Sequence, residues 1–186
     1  MSKALKVVAF SAGTARPSKT LALTEALLGQ LGEQLNISSE VIELSEIGRA
    51  LGASLYRAEA PSEVEAALAA VEAADLLIVA TPVYRGSYTG HFKHFFDLIE
   101  LNALVDKPVL LAATGGSDRH ALILDHQLRP LFSFLQALTL PIGVYASAAD
   151  FDGYQITSDA LNNRIDLAVE RAAGWFGAAY SKRKTA

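Results

Sequence analysis

The stretch DLLIVA, Asp75–Ala80, followed by TPVYRGSYTG, Thr81–Gly90, decides the fold. After its opening aspartate the first segment is apolar without interruption. A strand with one wet face alternates polar and apolar side chains, whereas a strand covered on both faces does not. Asp75–Ala80 is therefore expected to run through the middle of a sheet with helices above and below. Pro82 cannot extend a central hydrogen-bond ladder and marks its end.

Working outward, the same signature recurs at Lys107–Ala113 (KPVLLAA), and shorter β-rich runs are expected as strands at Leu5–Phe10, Ile37–Leu44 and Pro141–Ala146. Between them lie segments with apolar residues at helical spacing, such as Leu23, Leu27 and Leu31 within Thr20–Leu35. Further helices are predicted from Pro61 to about Ala73, Gly90 to Leu101, His120 to Ala137 and Ser158 to Tyr180, while Ser45 to Ala60 reads as irregular. Strict alternation of strand and helix implies right-handed crossovers and a parallel sheet. The expected architecture is a single α/β domain spanning 1–186, a three-layer flavodoxin-like fold with strand order 2-1-3-4-5. The loops after strands one, three and four then converge at the switch point, where such folds hold their ligand.

Composition narrows the chemistry. A net charge of −4 argues against a protein that tracks nucleic-acid phosphates. The basic run Lys182-Arg183-Lys184 reads as a solubilising tail. With no cysteine, disulfides, thiolate metal sites and thiol catalysis are excluded. No leader and no run long enough to span a membrane is expected, and the cytoplasm is the expected compartment.

The three converging loops are also the chemically unusual ones. Ser11 to Thr20 is rich in hydroxyls and ends at a helix N-terminus, where unpaired N–H groups favour an anion. Thr14, Ser18 and Thr20 can donate to phosphate oxygens and Arg16 can add charge; plain helix capping by Ser18 or Thr20 is the alternative. Gly13 to Thr20 nearly fits a triphosphate-binding loop, but Ser18 replaces the second glycine and no strand ends in a metal-binding aspartate. The Thr81–Gly90 loop combines Tyr84, Arg85 and two glycines, which suits a flat heteroaromatic ring or else a simple surface turn. The third loop, Ala113-Thr-Gly-Gly-Ser-Asp118, allows close backbone approach at Gly115 and Gly116.

Taken together, Gly13-Thr14-x-Arg16-Pro17-Ser18, ATPVYRGSYTGHFKHFFD (Ala80–Asp97) and ATGGSDRHALILDHQLRPLFSFL (Ala113–Leu135) resemble the NAD(P)H-dependent FMN reductases. The resemblance is greatest to the reductase components of two-component alkanesulfonate and methanesulfonate monooxygenases. It implies that Thr14, Arg16, Ser18 and Thr20 hold the FMN phosphate. Pro82, Val83, Tyr84, Arg85 and Ser87 would line the isoalloxazine and ribityl chain, and Thr114, Gly115, Gly116 and Ser117 the opposite ring edge. It further implies hydride transfer from NAD(P)H to FMN by ring stacking, without a catalytic side chain, and delivery of reduced flavin to a partner monooxygenase acting on organosulfonates. Two rival functions stay open: a quinone or azo reductase that retains its FMN, and a flavodoxin-like electron carrier.

Pro130 lies inside the fourth predicted helix and deprives the His126 carbonyl of its usual partner. A π-bulge near His126 is one resolution. Relatives place an aromatic insertion there at a tetramer interface, which implies a role for His126 in flavin exchange; a plain proline kink is the alternative. His91, His94 and Asp97 share a helix at a spacing that could bind metal, although ordinary helix residues explain them better. His120 could approach the ring edge. Trp175 and Phe176 read as core or interface packing. The 51% hydrophobic content suggests an oligomer, and the resemblance implies a homodimer or homotetramer.

Overall fold

In the computed structural model, which describes residues 4–183, the strand β3 (Leu76–Pro82) sits at the centre of a parallel sheet. Around it are β1 (Leu5–Ser11), α1 (Lys19–Gln34), β2 (Ile37–Glu43), α2 (Leu44–Gly52), α3 (Ser62–Glu72), α4 (Gly90–Asp97) and β4 (Pro108–Gly115). They are followed by α5 (Arg129–Phe134), β5 (Leu138–Thr139), β6 (Val144–Ser147), a small hairpin of β7 (Phe151–Asp152) and β8 (Gln155–Ile156), and α6 (Asp159–Arg183). The order is β2-β1-β3-β4-β5, with β6 also paired to β4. This is the expected doubly wound arrangement. The basic run Lys182-Arg183-Lys184 lies outside the residues whose side chains are described.

The uninterrupted apolar strands follow from two cores. Leu77 and Val79 of β3 join Val8, Phe10, Val109 and Leu111 on the face covered by α2, α3, α4 and α5. Leu76, Ile78 and Ala80 join Val7, Ala9, Leu110 and Ala112 on the opposite face, under α1 and α6. Successive side chains point to opposite faces, so both parities must be apolar. On the first face Phe10 stacks on Phe95 at 4.4 Å between ring centroids, and Phe96 meets Phe132 edge-on at 5.0 Å. These aromatic contacts fix α4 and α5 beneath the loops that follow β3 and β4.

Four expectations need correction. The stretch from Ser45 to Ala60 is not irregular: it contains α2 and a short 3₁₀ turn, Arg57–Glu59. Leu44 and Leu51, both buried, form the apolar stripe that Gly48 and Ser45 obscured. The helix from Gly90 stops at Asp97 rather than at Leu101.

The fifth strand is broken rather than continuous over Pro141–Ala146. β5 pairs with Pro108 and Val109, β6 with Ala112 to Gly115, and residues 140–143 bridge them. Pro141 has no N–H for the ladder. The freed carbonyls of Leu140 and Pro141 accept from Arg129 at 2.9 and 2.8 Å, and that of Gly143 accepts from Arg164 at 2.9 Å.

The predicted helix from His120 to Ala137 is in fact three pieces: a 3₁₀ turn Asp118–His120, a π turn Leu124–Leu128, and α5. Arg129 N–H donates to the Leu124 carbonyl, the i to i−5 bond of a π turn, just before Pro130.

Candidate functional site

The site forms where β1, β3 and β4 end side by side. Ser11 pairs in register with Ala80, and Pro82 with Thr114, so the three following loops rise from one edge. Val83 N–H donates to the Thr114 carbonyl at 2.7 Å, which extends the pairing into the loops themselves.

The first loop opens α1. Ser18 caps the helix, its Oγ accepting from Leu21 N–H at 3.2 Å. A side chain at Gly13 would collide with that same Oγ, so the glycine lets the loop close over the cap. Among the described residues, no protein acceptor takes the N–H groups from Gly13 to Arg16, or those of Ser18, Lys19 and Thr20. A row of free amides at a helix N-terminus is suited to a phosphate dianion. The Arg16–Pro17 peptide is cis.

Three of the expected phosphate donors sit differently from one another. Thr14 is exposed and its Oγ1 lies 3.2 Å from Tyr84 Oη. Thr20 is buried, its hydroxyl 2.7 Å from that of Thr114, so it ties the first loop to the third. Arg16 turns outward to Glu43, with Glu46 at 3.4 Å. Its hydrogen bond holds the Glu43 carboxyl below the usual range; burial opposes this and Ser45 Oγ, donating at 3.1 Å, assists.

The second loop is a two-residue hairpin. Tyr84 and Ser87 exchange backbone hydrogen bonds of 2.9 and 3.2 Å, and Arg85 and Gly86 between them both have positive φ, 53° and 86°. This is the pattern of a type I′ turn, whose twist suits a tight hairpin. It presents Tyr84 half exposed at the edge of the site. Ser87 Oγ donates to Gln127 Oε1 at 3.2 Å, joining the hairpin to the π turn that contains His126.

The third loop is braced from β6. Tyr145 Oη donates to the Ser117 carbonyl at 2.6 Å. Burial, with Asp118 and Asp150 adding to it, raises the phenol's pKa and keeps it a donor. Gly115 lies against this phenol, while Gly116 has open space where a side chain would be. Pro82 and Val83 are half-buried below the hairpin. Thr14, Ser18, Tyr84, Arg85, Ser87, Gly115, Gly116 and Ser117 thus gather on one edge, with Thr20 and Thr114 forming its buried floor.

Glu43, Gln127 and Tyr145 were missed from sequence. Each acts on a loop distant in the chain, and none carries a local signal. The helical histidines disperse. His94 Nε2 lies 2.7 Å from the Ser54 carbonyl and 3.1 Å from that of Leu51, His91 lies over Gly52, and Asp97 pairs with Lys93. His120 ends the 3₁₀ turn beyond the third loop. Phe176 packs on the α1/α6 core and Trp175 is 39% exposed.

The profile of the NADPH-dependent FMN reductase family matches residues 5–152. A Pseudomonas fluorescens protein described as NADH-dependent FMN reductase SfnF is 69% identical over 177 residues, 95% of each chain. A Pseudomonas aeruginosa protein described as FMN reductase (NADPH) is 66% identical, again over 95% of each. The crystal structure of an oxidoreductase from Corynebacterium diphtheriae superposes with a TM-score of 0.79 at 36% identity, covering 93% of this chain and 97% of that one. The chain belongs to the NADPH-dependent FMN reductase family.

Proposed function

We propose that this protein transfers hydride from NADH or NADPH to FMN and passes the reduced flavin to a partner monooxygenase that desulfonates organosulfonates. The observation that carries the reading is the row of uncommitted N–H groups from Gly13 to Thr20, set beside a tyrosine-bearing I′ hairpin and the glycine loop of β4. An anion subsite next to a tyrosine-bearing hairpin and a glycine loop suits the two ends of FMN. Family membership and the relatives described as FMN reductases support the activity. Coupling to a sulfonate monooxygenase rests on the resemblance of the Ala80–Asp97 and Ala113–Leu135 stretches to reductase components of such systems.

Under this reading the loop amides, with the hydroxyls of Thr14 and Ser18, hold the phosphate. Thr20 serves through its bond to Thr114, and Arg16 contributes only by leaving Glu43. Pro82, Val83, Tyr84, Arg85 and Ser87 line one side of the ring, and Gly115, Gly116 and Ser117 the other. When bound, FMN supplies the hydride-accepting ring. The protein's part is orientation of two stacked rings and exclusion of water, with no acid–base side chain. His126, on the exposed face of the π turn, sits one residue from the Gln127 contact to Ser87, and through it influences flavin exchange. A homodimer or homotetramer is part of the proposal. It is supported by Leu101 and Phe134, 61% and 72% exposed beside a groove of about 470 Å³; analytical ultracentrifugation tests it.

The deciding experiment follows oxidation of NADH and NADPH at 340 nm with and without added FMN. Turnover that saturates with added FMN supports a reductase using FMN as substrate, and sulfite release on adding a sulfonate monooxygenase supports the coupling. FMN binding without coenzyme oxidation refutes the reductase reading in favour of an electron carrier.

A further inference from the structure

A second recess, of about 190 Å³, lies between α2 and the start of α4 and is lined by Thr14, Leu44, Ser45, Gly48, Arg49 and His91. Its charge is set by how α2 distributes its ion pairs. Glu43 and Glu46 are both engaged by Arg16. Arg49, one turn further along α2, has no carboxylate within ion-pair distance among the described residues, and neither has His91. His91 lies along α2 with its Nε2 over Gly52, where a side chain would crowd it at 3.2 Å. An exposed guanidinium and an exposed imidazole therefore face one hollow whose neighbouring carboxylates, Glu43 and Glu46, are already paired. The hollow adjoins the flavin site proposed above, because Thr14 lines it and its Oγ1 also lies 3.2 Å from Tyr84 Oη.

We propose that this recess is a phosphate subsite for the nicotinamide coenzyme, with Arg49 as its principal contact and His91 as the second. The inference rests on the reductase reading. Once the amides of the first loop hold the phosphate of FMN, a coenzyme stacked on the flavin still carries a pyrophosphate and, in NADPH, a 2′-phosphate. These anions need a cationic partner on a chain whose net charge is −4. Arginine suits phosphate because its planar fork donates two parallel hydrogen bonds. Arg49 is exposed and has no ion-pair partner among the described residues, so it is available without breaking a described contact. The two relatives above, described as NADH-dependent and as NADPH-using, make the choice of phosphate a real question for this chain.

The test uses the purified full chain with Arg49→Ala, Arg49→Lys and His91→Gln. It reads KM and kcat for NADPH and NADH at saturating FMN, titration of NADP+ and NAD+, and the FMN dissociation constant. Losing a charged phosphate contact in Arg49→Ala is expected to raise KM about tenfold or more with kcat nearly unchanged, because such a contact is made equally in ground and transition states. Arg49→Lys keeps part of the affinity, and FMN binding is unaltered. A rise confined to NADPH assigns the recess to the 2′-phosphate; an equal rise with both coenzymes assigns it to the pyrophosphate. Unchanged KM and oxidised-coenzyme affinity in Arg49→Ala overturn the inference, as does a loss of FMN affinity, which would make the recess part of the flavin site. If the wild-type protein oxidises neither coenzyme, the reductase reading fails. The NADP+ titration then still decides the subsite, since binding weakened by Arg49→Ala upholds it and binding that is absent or unchanged rejects it.

Discussion

Replacing Gly115 with alanine tests the architecture of the third loop. The backbone at Gly115 is not in the left-handed region, so conformational freedom is not what the position requires. Space is the constraint: an added Cβ would fall well inside van der Waals contact of Tyr145 Oη and 3.1 Å from Cζ. The phenol cannot shift freely, because its hydroxyl is bonded to the Ser117 carbonyl at 2.6 Å. Gly115→Ala must therefore break that bond or push the loop outward, at a cost of about 1–3 kcal/mol. For a domain of this size that is a fall in melting temperature of roughly 2–12 °C. Tyr145→Phe alone loses one hydrogen bond, about 1 kcal/mol. In the double variant the colliding oxygen is gone and the ring carbon at 3.1 Å needs to yield only slightly. Its destabilisation should fall short of the sum of the singles by about 1 kcal/mol or more. Urea denaturation of the four proteins measures this, with FMN titration of the same set reporting whether the loop edge has moved. Strict additivity would refute the reasoning.

Thr20→Val and Thr114→Val should each destabilise by about 1–3 kcal/mol, since each leaves one buried hydroxyl without its partner, and the double variant by clearly less than their sum; a thermal double-mutant cycle reads this. Arg16 lowers the Glu43 pKa, so that contribution to stability is complete above the unfolded glutamate range and is lost as pH falls through the folded value. The stability gap between wild type and Glu43→Gln should accordingly be present at pH 7 and close below about pH 4 in chemical denaturation. Gly29→Ala, on the exposed side of α1 with open space at its Cβ, should stabilise by about 0.5–1 kcal/mol in the same assay.

Sequence patterning alone made the sheet legible. After their charged first residues, Asp75–Ala80 and Lys107–Ala113 are apolar throughout because both strand faces are covered, and this both-face pattern implies the parallel, doubly wound order. The order in turn placed three loops together and singled out Thr14, Tyr84, Gly115 and their neighbours as one site. Proline chemistry also left a local trace: Pro130 pointed to the disturbed helix that the structure resolves as a π turn at Leu124–Leu128. Weak or compensated local signals were misread. α2 was hidden by Gly48, and the break at Pro141 was absorbed into a strand because the arginines that satisfy its carbonyls are remote in sequence.

Only the tertiary structure decided what each site residue touches. Thr20 and Arg16 belong to the same loop, yet one is buried against Thr114 and the other is drawn to Glu43, a choice made by partners 94 and 27 residues away. The bracing of Ser117 by Tyr145, the Ser87–Gln127 link and the recess that Arg49 and His91 share arise the same way. Periodicity reports which face of an element is buried. Distances between side chains on different elements depend on register and packing, which are fixed only when the sheet and its two helical layers close together.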